Sequence, residues 1–157
     1  MKVGIIGSGG REHAICQTIK NSNKIEKLFC FPGNAGTKNI AENVNIDLEN
    51  FEKIRDYILN KNIDLVVVGP EKPLVDRLVD YLEKFNIKVF GPKKIAAQLE
   101  GSKIFTKKIC EINKIPTANF KIFKDSNSSL EYLKKKNYPI VVKADGLAAG
   151  KGVYICE

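Results

Sequence analysis

The stretch KVGIIGSGGREHA, residues 2–14, decides the fold of this chain. Residues 2–6 form a hydrophobic run that is typical of a buried strand, and the glycine-rich turn 7–10 ends it. A helical pattern follows over residues 11–20. A strand, a glycine turn and a helix N-terminus together form an anion site, because free amides and the positive end of the helix dipole meet there.

This stretch fits the dinucleotide fingerprint G-x-G-x-x-G only in part. Gly7 and Gly9 match the pattern, but Glu12 occupies the position of the third glycine. The second predicted strand, residues 27–31, ends in the turn 32–36 and not in the acidic residue that would bind a ribose hydroxyl. The sequence therefore argues against an NAD site.

The strand–turn–helix order repeats along the next part of the chain. A helix with a cap near Asn50 precedes the run 64–68, whose consecutive apolar residues indicate a strand that is buried on both faces. A helical pattern over residues 74–85 and a further strand at 87–90 follow. This order predicts an α/β fold with a doubly wound, mostly parallel sheet, which is a Rossmann-like architecture.

Ligands of such sheets bind at the carboxyl ends of the strands, so the turns at 7–10, 32–36 and 69–71 are predicted to line one crevice. Arg11 can reach an anion that the first turn holds, although it can equally be a solvated surface residue. Glu71 is the acidic residue of the third turn. It is a candidate for binding sugar hydroxyls, or it places a negative charge in the first turn of the following helix.

The second half of the chain has a different pattern. Ser102 is a plausible N-cap of a helix, and a domain boundary is expected between residues 114 and 118. The other predicted elements are a short helix at 95–100, a strand at 119–123, a polar turn at 125–129 and a helix that ends at 136.

A loop of small residues, KADGLAAGKGV at 143–153, lies between two short apolar runs at 140–142 and 153–155. This pattern predicts a hairpin whose tip is longer than a tight turn requires. Its amides can approach a ligand closely, and Lys143 and Lys151 are suitable donors for phosphate oxygens. It is not a Walker A loop, because no Ser or Thr follows the Gly-Lys pair. The alternatives are a flap over nucleotide phosphates and a flexible surface hairpin.

Composition excludes several classes of protein. The chain has 157 residues, 43% of them hydrophobic, and a net charge of +8, but it lacks the aromatic and zinc-binding patterns of nucleic-acid binders. Its four cysteines are far apart and indicate neither a metal site nor a disulfide framework. No apolar run approaches membrane-spanning length, and the N-terminal run is too short for a signal peptide. We therefore expect a cytoplasmic protein without a nucleic-acid or membrane partner.

Five motifs, in this order and spacing, closely resemble the phosphoribosylamine–glycine ligase (glycinamide ribonucleotide synthetase) family of the ATP-grasp superfamily. They are GSGGREHA at 7–14, PGNAG at 32–36, GPE at 69–71, GSK at 101–103 and KADGLAAGKG at 143–152. The resemblance implies an ATP-dependent ligase that activates glycine as an acyl phosphate. The amine of 5-phosphoribosylamine then attacks it and gives glycinamide ribonucleotide, ADP and phosphate, in de novo purine synthesis.

The resemblance also implies which residues bind these molecules, although it assigns no catalytic residue within this chain. The implied ATP-binding residues are Lys103, Lys143, Gly146, Gly150, Lys151 and Gly152. The implied residues for the phosphoribosyl substrate are Gly9, Gly10, Arg11, Asn34 and Glu71. Magnesium or manganese is implied as a cofactor, with ligands that lie outside this chain, and the protein is expected to be a monomer.

By the same resemblance, residues 1–114 are expected to be the N-terminal substrate-binding domain that precedes an ATP-grasp domain. Residues 115–157 would be the first part of that ATP-grasp domain, which is truncated here, so the chain alone is expected to be inactive. Two other functions remain open, namely another ATP-grasp carboxylate–amine ligase and a non-catalytic nucleotide-binding module.

Overall fold

Five parallel strands form one sheet within residues 1–97. The structure is a computed structural model that describes all 157 residues, and it divides into two compact units, 1–97 and 98–157. The sheet order is β3-β2-β1-β4-β5, and all four strand pairs are parallel. The strands are β1 (Lys2–Gly7), β2 (Lys27–Pro32), β3 (Glu42–Asn43), β4 (Leu65–Val68) and β5 (Val89–Phe90).

The helices alternate with these strands along the chain. They are α1 (Gly10–Ile19), a 3₁₀ turn (Thr37–Asn39), α2 (Phe51–Lys61), α3 (Glu71–Val75), α4 (Leu78–Glu83) and α5 (Lys94–Gly101). The predicted cap of α2 is confirmed, because the side chain of Asn50 accepts a hydrogen bond from the amide of Lys53 at 3.0 Å. The strand–helix order and the parallel sheet confirm the predicted doubly wound α/β fold.

Both faces of the sheet are covered, as a doubly wound sheet requires. Neighbouring residues of a strand point to opposite faces, so Leu28 of β2 joins one buried cluster with Cys16 of α1. Phe29 of the same strand joins the other cluster, with Ile54 of α2 and Leu78 of α4. All five side chains are at most 4% exposed. The apolar strands β1, β2 and β4 therefore lie at the centre of the sheet. A ligand site of this fold is expected at their carboxyl ends.

Two predicted elements of this unit differ in the structure. The single helix predicted at 74–85 is interrupted, since Arg77 has a left-handed backbone with φ of 76° and separates α3 from α4. A residue in that conformation cannot continue a right-handed helix. The strand predicted at 87–90 is shorter and begins at Val89, whereas the edge strand β3 (Glu42–Asn43) was not predicted because its two residues are polar.

The second unit contains two helices and an antiparallel hairpin. These are α6 (Lys103–Ile112), α7 (Ser126–Leu133), β6 (Ile140–Lys143) and β7 (Val153–Cys156). The hairpin confirms the prediction, with Lys143 opposite Val153 at the start of the loop. None of the helices in the chain is both long and apolar enough to cross a membrane.

Two predictions for residues 119–129 were wrong. The strand predicted at 119–123 is irregular backbone, because no neighbouring strand is there to pair with it. The polar turn predicted at 125–129 is the start of α7 instead. Asp125 caps this helix by accepting a hydrogen bond from the amide of Ser128 at 2.8 Å, since Asp and Ser favour helix starts as well as turns. The predicted end of this helix at 136 also lies beyond its observed end at Leu133.

The division between the two compact units falls within α5, after Ala97. The domain boundary expected between residues 114 and 118 is the point up to which the N-terminal segment is expected to fold independently. A division into compact units does not test independent folding, so this boundary stays a prediction.

Candidate functional site

The three turns at the carboxyl ends of β1, β2 and β4 lie side by side, as the sequence predicts. The amide of Gly33 donates to the carbonyl of Gly7 at 3.1 Å, which joins the first and second turns. The amide of Gly69 donates to the carbonyl of Ile6 at 3.1 Å, which joins the third turn to the end of β1. The parallel sheet therefore brings all three turns together at the carboxyl ends of its strands.

Glu12 lies beneath these turns and is only 4% exposed. Its carboxylate accepts a hydrogen bond from the amide of Gly9 at 2.6 Å. A Cβ atom added to Gly7 would lie 2.6 Å from the carboxyl carbon of Glu12, and one added to Gly69 would collide with the same carboxylate. The side chain that breaks the dinucleotide fingerprint thus fills the space between two strand ends. Sequence reasoning treated Glu12 only as a departure from a motif and missed this role.

Arg11 joins the first turn to the third. Its Nη1 donates to the carbonyl of Gly69 at 2.7 Å, and its Nη2 lies 2.8 Å from Oε1 of Glu71. The backbone amide of Glu71 and the Arg11 guanidinium together hold the pKa of the Glu71 carboxyl below its usual value. Glu71 is also the first residue of α3, so it does place a negative charge in the first turn of that helix.

Asn34 joins the second turn to the first. Its Nδ2 donates to the carbonyl of Ser8 at 2.8 Å and to that of Gly9 at 3.3 Å. Its Oδ1 accepts hydrogen bonds from the amides of Gly36 at 2.8 Å and Thr37 at 3.0 Å. Both ends of the Asn34 amide are therefore used to shape the turns.

The start of α1 is open to a ligand. Gly9 and Gly10 are exposed, and a Cβ atom added to Gly10 would meet no atom within 4 Å. The first amides of a helix have no acceptor within the helix, so that of Gly10 remains suited to an anion.

A cavity of about 420 Å³ opens beside the first turn. It contains none of the predicted binding residues and includes a loop at 45–49 that no sequence motif indicated. Its lining residues are Ser8, Pro32, Asn45, Ile46, Asp47, Leu48, Glu49, Pro70, Lys72, Pro73 and Asp76.

In the second unit, Lys103 begins α6 and reaches the loop between β6 and β7. Its Nζ donates to the carbonyl of Gly146 at 2.9 Å. The predicted cap of this helix is confirmed, because Oγ of Ser102 accepts a hydrogen bond from the amide of Phe105 at 3.1 Å. The structure thus brings Lys103 and Gly146 together, although they are far apart in sequence.

Asp145 joins the same loop to the first turn of α6. Its carboxylate accepts hydrogen bonds from Oγ of Ser102 at 3.1 and 3.2 Å and from the amide of Ile104 at 3.1 Å. Some loss of solvent around the exposed Asp145 favours the neutral acid, but the hydrogen bonds from Ile104 and Ser102 outweigh it, and the pKa of Asp145 is lowered. Sequence reasoning missed Asp145. A carboxylate among small residues, two positions after the end of β6, was the available signal.

The base of this loop is closed by main-chain contacts. The amide of Ala144 donates to the carbonyl of Gly152 at 2.8 Å. Gly152 is buried, and a Cβ atom added to it would lie 2.7 Å from the Cβ atom of Ala148. Only a residue without a side chain fits at this point of the loop.

The tip of the loop is a tight turn. The amide of Lys151 donates to the carbonyl of Ala148 at 2.8 Å, and the two central residues, Ala149 and Gly150, have φ values of 45° and 77°. Positive φ at both central positions is characteristic of a type I′ turn. A Cβ atom added to Gly150 would meet nothing within 4 Å, so the tip is accessible.

Lys143 is the last residue of β6 and is exposed, as is Lys151 at the tip. Neither ammonium group forms a hydrogen bond or an ion pair. Both remain available to an anion, in contrast to Lys103. No group of three or more metal-binding side chains is present in the chain.

Both parts of the chain match models of one protein family. Residues 1–100 match the N domain of phosphoribosylglycinamide synthetase, and residues 101–157 match the ATP-grasp (A) domain of the same enzyme.

Known proteins resemble the chain along its whole length. A phosphoribosylamine–glycine ligase from Caldanaerobacter subterraneus is 50% identical over 155 residues, which are 99% of this chain and 37% of that protein. The crystal structure of phosphoribosylamine–glycine ligase from Thermotoga maritima matches 99% of this chain and 36% of its own, with 35% identity and a TM-score of 0.76.

A structure outside the family shows the same fold. The biotin carboxylase domain of 2-oxoglutarate carboxylase from Hydrogenobacter thermophilus, in complex with MgADP, has 22% identity and a TM-score of 0.77 over 99% of this chain and 37% of its own. The chain thus spans between a third and two-fifths of the length of the proteins that it matches. The turns and the loop lie in segments that match the two family models, and the family predicted from the motifs is confirmed: the chain belongs to the phosphoribosylglycinamide synthetase family.

Proposed function

We propose that this chain is the substrate-binding domain and the first part of the ATP-grasp domain of a ligase that joins glycine to 5-phosphoribosylamine. The products are glycinamide ribonucleotide, ADP and phosphate, and the reaction belongs to de novo purine synthesis. The observation that carries the proposal is the 50% identity, over 99% of the chain, to a protein that has this activity as its name. Residues 1–114 and 115–157 are the proposed domains.

The loop at 146–152 and its neighbouring lysines form the proposed site for the phosphates of ATP. Gly146 and Gly150 have open space around them, so phosphate oxygens can approach the main chain closely. Lys143 and Lys151 are exposed cations without a partner, and Lys103 can exchange the carbonyl of Gly146 for a phosphate oxygen. Gly152 lets the loop close on itself behind this surface.

The three turns of the first unit form the proposed site for the phosphoribosyl group. The amide of Gly10 at the start of α1 suits its phosphate, because α1 is a ten-residue helix with a positive N-terminal end. Gly9 lets the ligand approach the main chain. Asn34 holds the second turn against the first, and the Glu71 carboxylate, whose pKa is lowered by its own backbone amide and by Arg11, can accept hydrogen bonds from sugar hydroxyls.

Magnesium or manganese would supply charge neutralisation at the transferred phosphoryl group. No group of three or more metal-binding side chains lies together in this chain. We therefore assign no metal ligand here, and the ligands are proposed to come from residues outside this sequence.

The proposed chemistry has two steps. A carboxylate oxygen of glycine attacks the γ-phosphorus of ATP, which forms glycyl phosphate and releases ADP. The amine of 5-phosphoribosylamine then attacks the acyl carbon, which forms the amide bond and releases phosphate and a proton. The lysines and loop amides would neutralise and orient the phosphates, and the closed loop would exclude water that could hydrolyse the acyl phosphate.

The proposed partners are therefore ATP, glycine and 5-phosphoribosylamine, for a cytoplasmic monomer without nucleic-acid or membrane partners. Only the three small molecules follow from the proposed reaction itself.

A chimera tests the function directly. Residues 1–157 replace the aligned segment of the Caldanaerobacter ligase, and the purified chimera is supplied with ATP, magnesium, glycine and 5-phosphoribosylamine. We expect glycinamide ribonucleotide and ADP in equal amounts, and no product from the 157-residue chain alone. A folded chimera that forms no glycinamide ribonucleotide would contradict the proposal. ADP release with another acid or amine would indicate a different carboxylate–amine ligase, and ATP binding without any turnover would indicate a non-catalytic module.

A further inference from the structure

The loop at 146–152 is held at one end by contacts that belong neither to the hairpin nor to a ligand. We name these contacts the loop attachment: the hydrogen bonds of Asp145 with Ser102 and Ile104, and that of Gly146 with Lys103. They connect Asp145 and Gly146, at the start of the loop, to the first turn of α6, across more than forty positions of sequence. The tip itself makes no comparable contact, since Gly150 has open space around it.

We propose that Asp145 is a positioning residue of the nucleotide site, which fixes the base of the loop on α6 so that Lys103 and the loop face the same phosphates. This inference rests on the proposed function. Asp145 does not touch the nucleotide in this proposal; it acts through the loop and through Lys103.

The first step of the argument concerns the start of α6. A helix N-terminus is ordinarily a place for an anion, because its first amides have no acceptor. Here the amide of Ile104 donates to Asp145 and that of Phe105 donates to Ser102. The protein's own carboxylate and hydroxyl therefore occupy the end of this helix, and a phosphate group is left to the lysine side chains and the loop amides.

The second step concerns where the loop can move. Asp145 is held by α6, and the base of the loop is closed between Ala144 and Gly152. Gly146, the next residue, has a φ of 92° and nothing near its Cβ position. At this end of the loop, a movement of the tip therefore requires a rotation at or after Gly146, since the residues before it are fixed. Asp145 thus sets the point about which the loop turns.

The third step concerns Lys103. Its ammonium donates to the carbonyl of Gly146, directly after the residue that the helix holds. This contact keeps the cation beside the loop before a nucleotide arrives, so less conformational entropy is lost when it takes a phosphate oxygen. If Asp145 is removed, Gly146 and the Lys103 ammonium lose their fixed separation, and this preorganisation is lost.

The experiment uses the chimera and three variants. Asp145→Ala removes the attachment. Asp145→Asn keeps an oxygen that can accept from Ile104 and Ser102. Asp125→Ala is the matched control, because Asp125 also caps a helix of the same unit through a 2.8 Å hydrogen bond but has no contact with the loop. The measurements are KM for each substrate, kcat, the melting temperature, and hydrogen exchange of residues 146–152 without nucleotide.

We expect Asp145→Ala to raise KM for ATP about tenfold, because preorganisation of the phosphate site is lost. The KM values for glycine and 5-phosphoribosylamine should remain unchanged, and exchange in the loop should increase. Asp145→Asn should restore most of the affinity for ATP, and Asp125→Ala should change only the melting temperature.

The inference is overturned if Asp145→Ala keeps the original KM for ATP and the original exchange of the loop. It is equally overturned if Asp125→Ala raises that KM as much. An inactive chimera with the unmodified sequence would instead be a failure of the proposed function, so the two failures are distinguishable.

Discussion

The amide of the exposed Gly9 donates a hydrogen bond of 2.6 Å to the carboxylate of Glu12, whose buried side chain supports the first turn from inside the protein. Glu12 belongs to the first turn of α1, where a negative charge is favoured by the helix dipole. One side chain thus caps a helix and also fills the space between two strands. At the position where a dinucleotide site would have its third glycine, this chain has Glu12, whose side chain stabilises the first turn.

Removing this carboxylate should destabilise the first unit. We expect Glu12→Ala to lower the free energy of unfolding by about 2 kcal/mol, because the Gly9 amide loses its acceptor and a buried space is left. Glu12→Gln keeps an acceptor and should have a smaller effect. Urea denaturation of the 157-residue chain measures both. Glu26→Ala is the control, since Glu26 is exposed, and an equal effect in the control would contradict the assigned role.

The fit between Glu12 and Gly69 can be tested by a second substitution. Gly69→Ala would place a methyl group against the Glu12 carboxylate, and we expect it to cost about 1–3 kcal/mol of stability, as overpacking does. Gly69→Ala in the Glu12→Ala background should cost clearly less, because the obstructing side chain is gone. Additive effects in the double mutant would show that the two residues do not interact. Gly10→Ala, which meets open space, should be harmless to stability.

The raised pKa of Tyr57 leads us to expect a loss of folding stability at high pH. Burial and the hydrogen bond that its hydroxyl donates to Glu42, at 2.7 Å, raise the pKa of Tyr57 from 10.0 to about 12. The neutral phenol is favoured in the folded state, so its contribution is complete below pH 10 and is lost as the pH rises from 10 towards 12. Urea midpoints of the natural chain and of Tyr57→Phe at about pH 9 and about pH 11.5 measure this contribution. The natural chain should lose more stability than the variant, and parallel changes would exclude the effect.

Substitution of Lys143 is expected to weaken nucleotide binding without affecting folding. In the chimera, we expect Lys143→Ala to raise KM for ATP about tenfold, because an exposed cation beside the proposed phosphates is lost. Its melting temperature should be unchanged, since the Lys143 ammonium group has no partner in the structure. Lys135→Ala removes another exposed lysine of the same unit and serves as the control. An unchanged KM for ATP in Lys143→Ala would remove Lys143 from the proposed site.

Much of the fold could be predicted because its signals are local. The apolar runs of β1, β2 and β4 are visible in the sequence since β1 and β2 are buried on both faces, and β4 is buried on one face and partly buried on the other. Asn50 and Ser102 could be predicted as caps because a cap bonds an amide only three residues away. The family could be predicted because glycine-rich turns and the lysine loop carry most of its pattern.

The remaining features depend on contacts between distant residues. The break at Arg77 lies inside a regular apolar pattern, and only the burial of neighbouring side chains fixes its place. The strand predicted at 119–123 needed a partner that the chain does not provide. Asp145 is unremarkable in sequence until Ser102 is placed beside it, across forty-three positions. In each case the local sequence permitted more than one outcome, and distant contacts selected one.

The buried position of Gly152 divides the loop into parts that tolerate mutation for different reasons. In an alanine scan of this segment, Gly152→Ala would be disfavoured for lack of space, because Ala148 blocks any added atom. Gly150→Ala would be disfavoured by the backbone torsion, because the space there is open but φ is positive. Variants at the tip could therefore be recovered by residues such as Asn that accept this torsion, whereas none of the larger amino acids can replace the glycine at the base. Libraries that aim to alter phosphate binding should vary the tip and leave Gly152 unchanged.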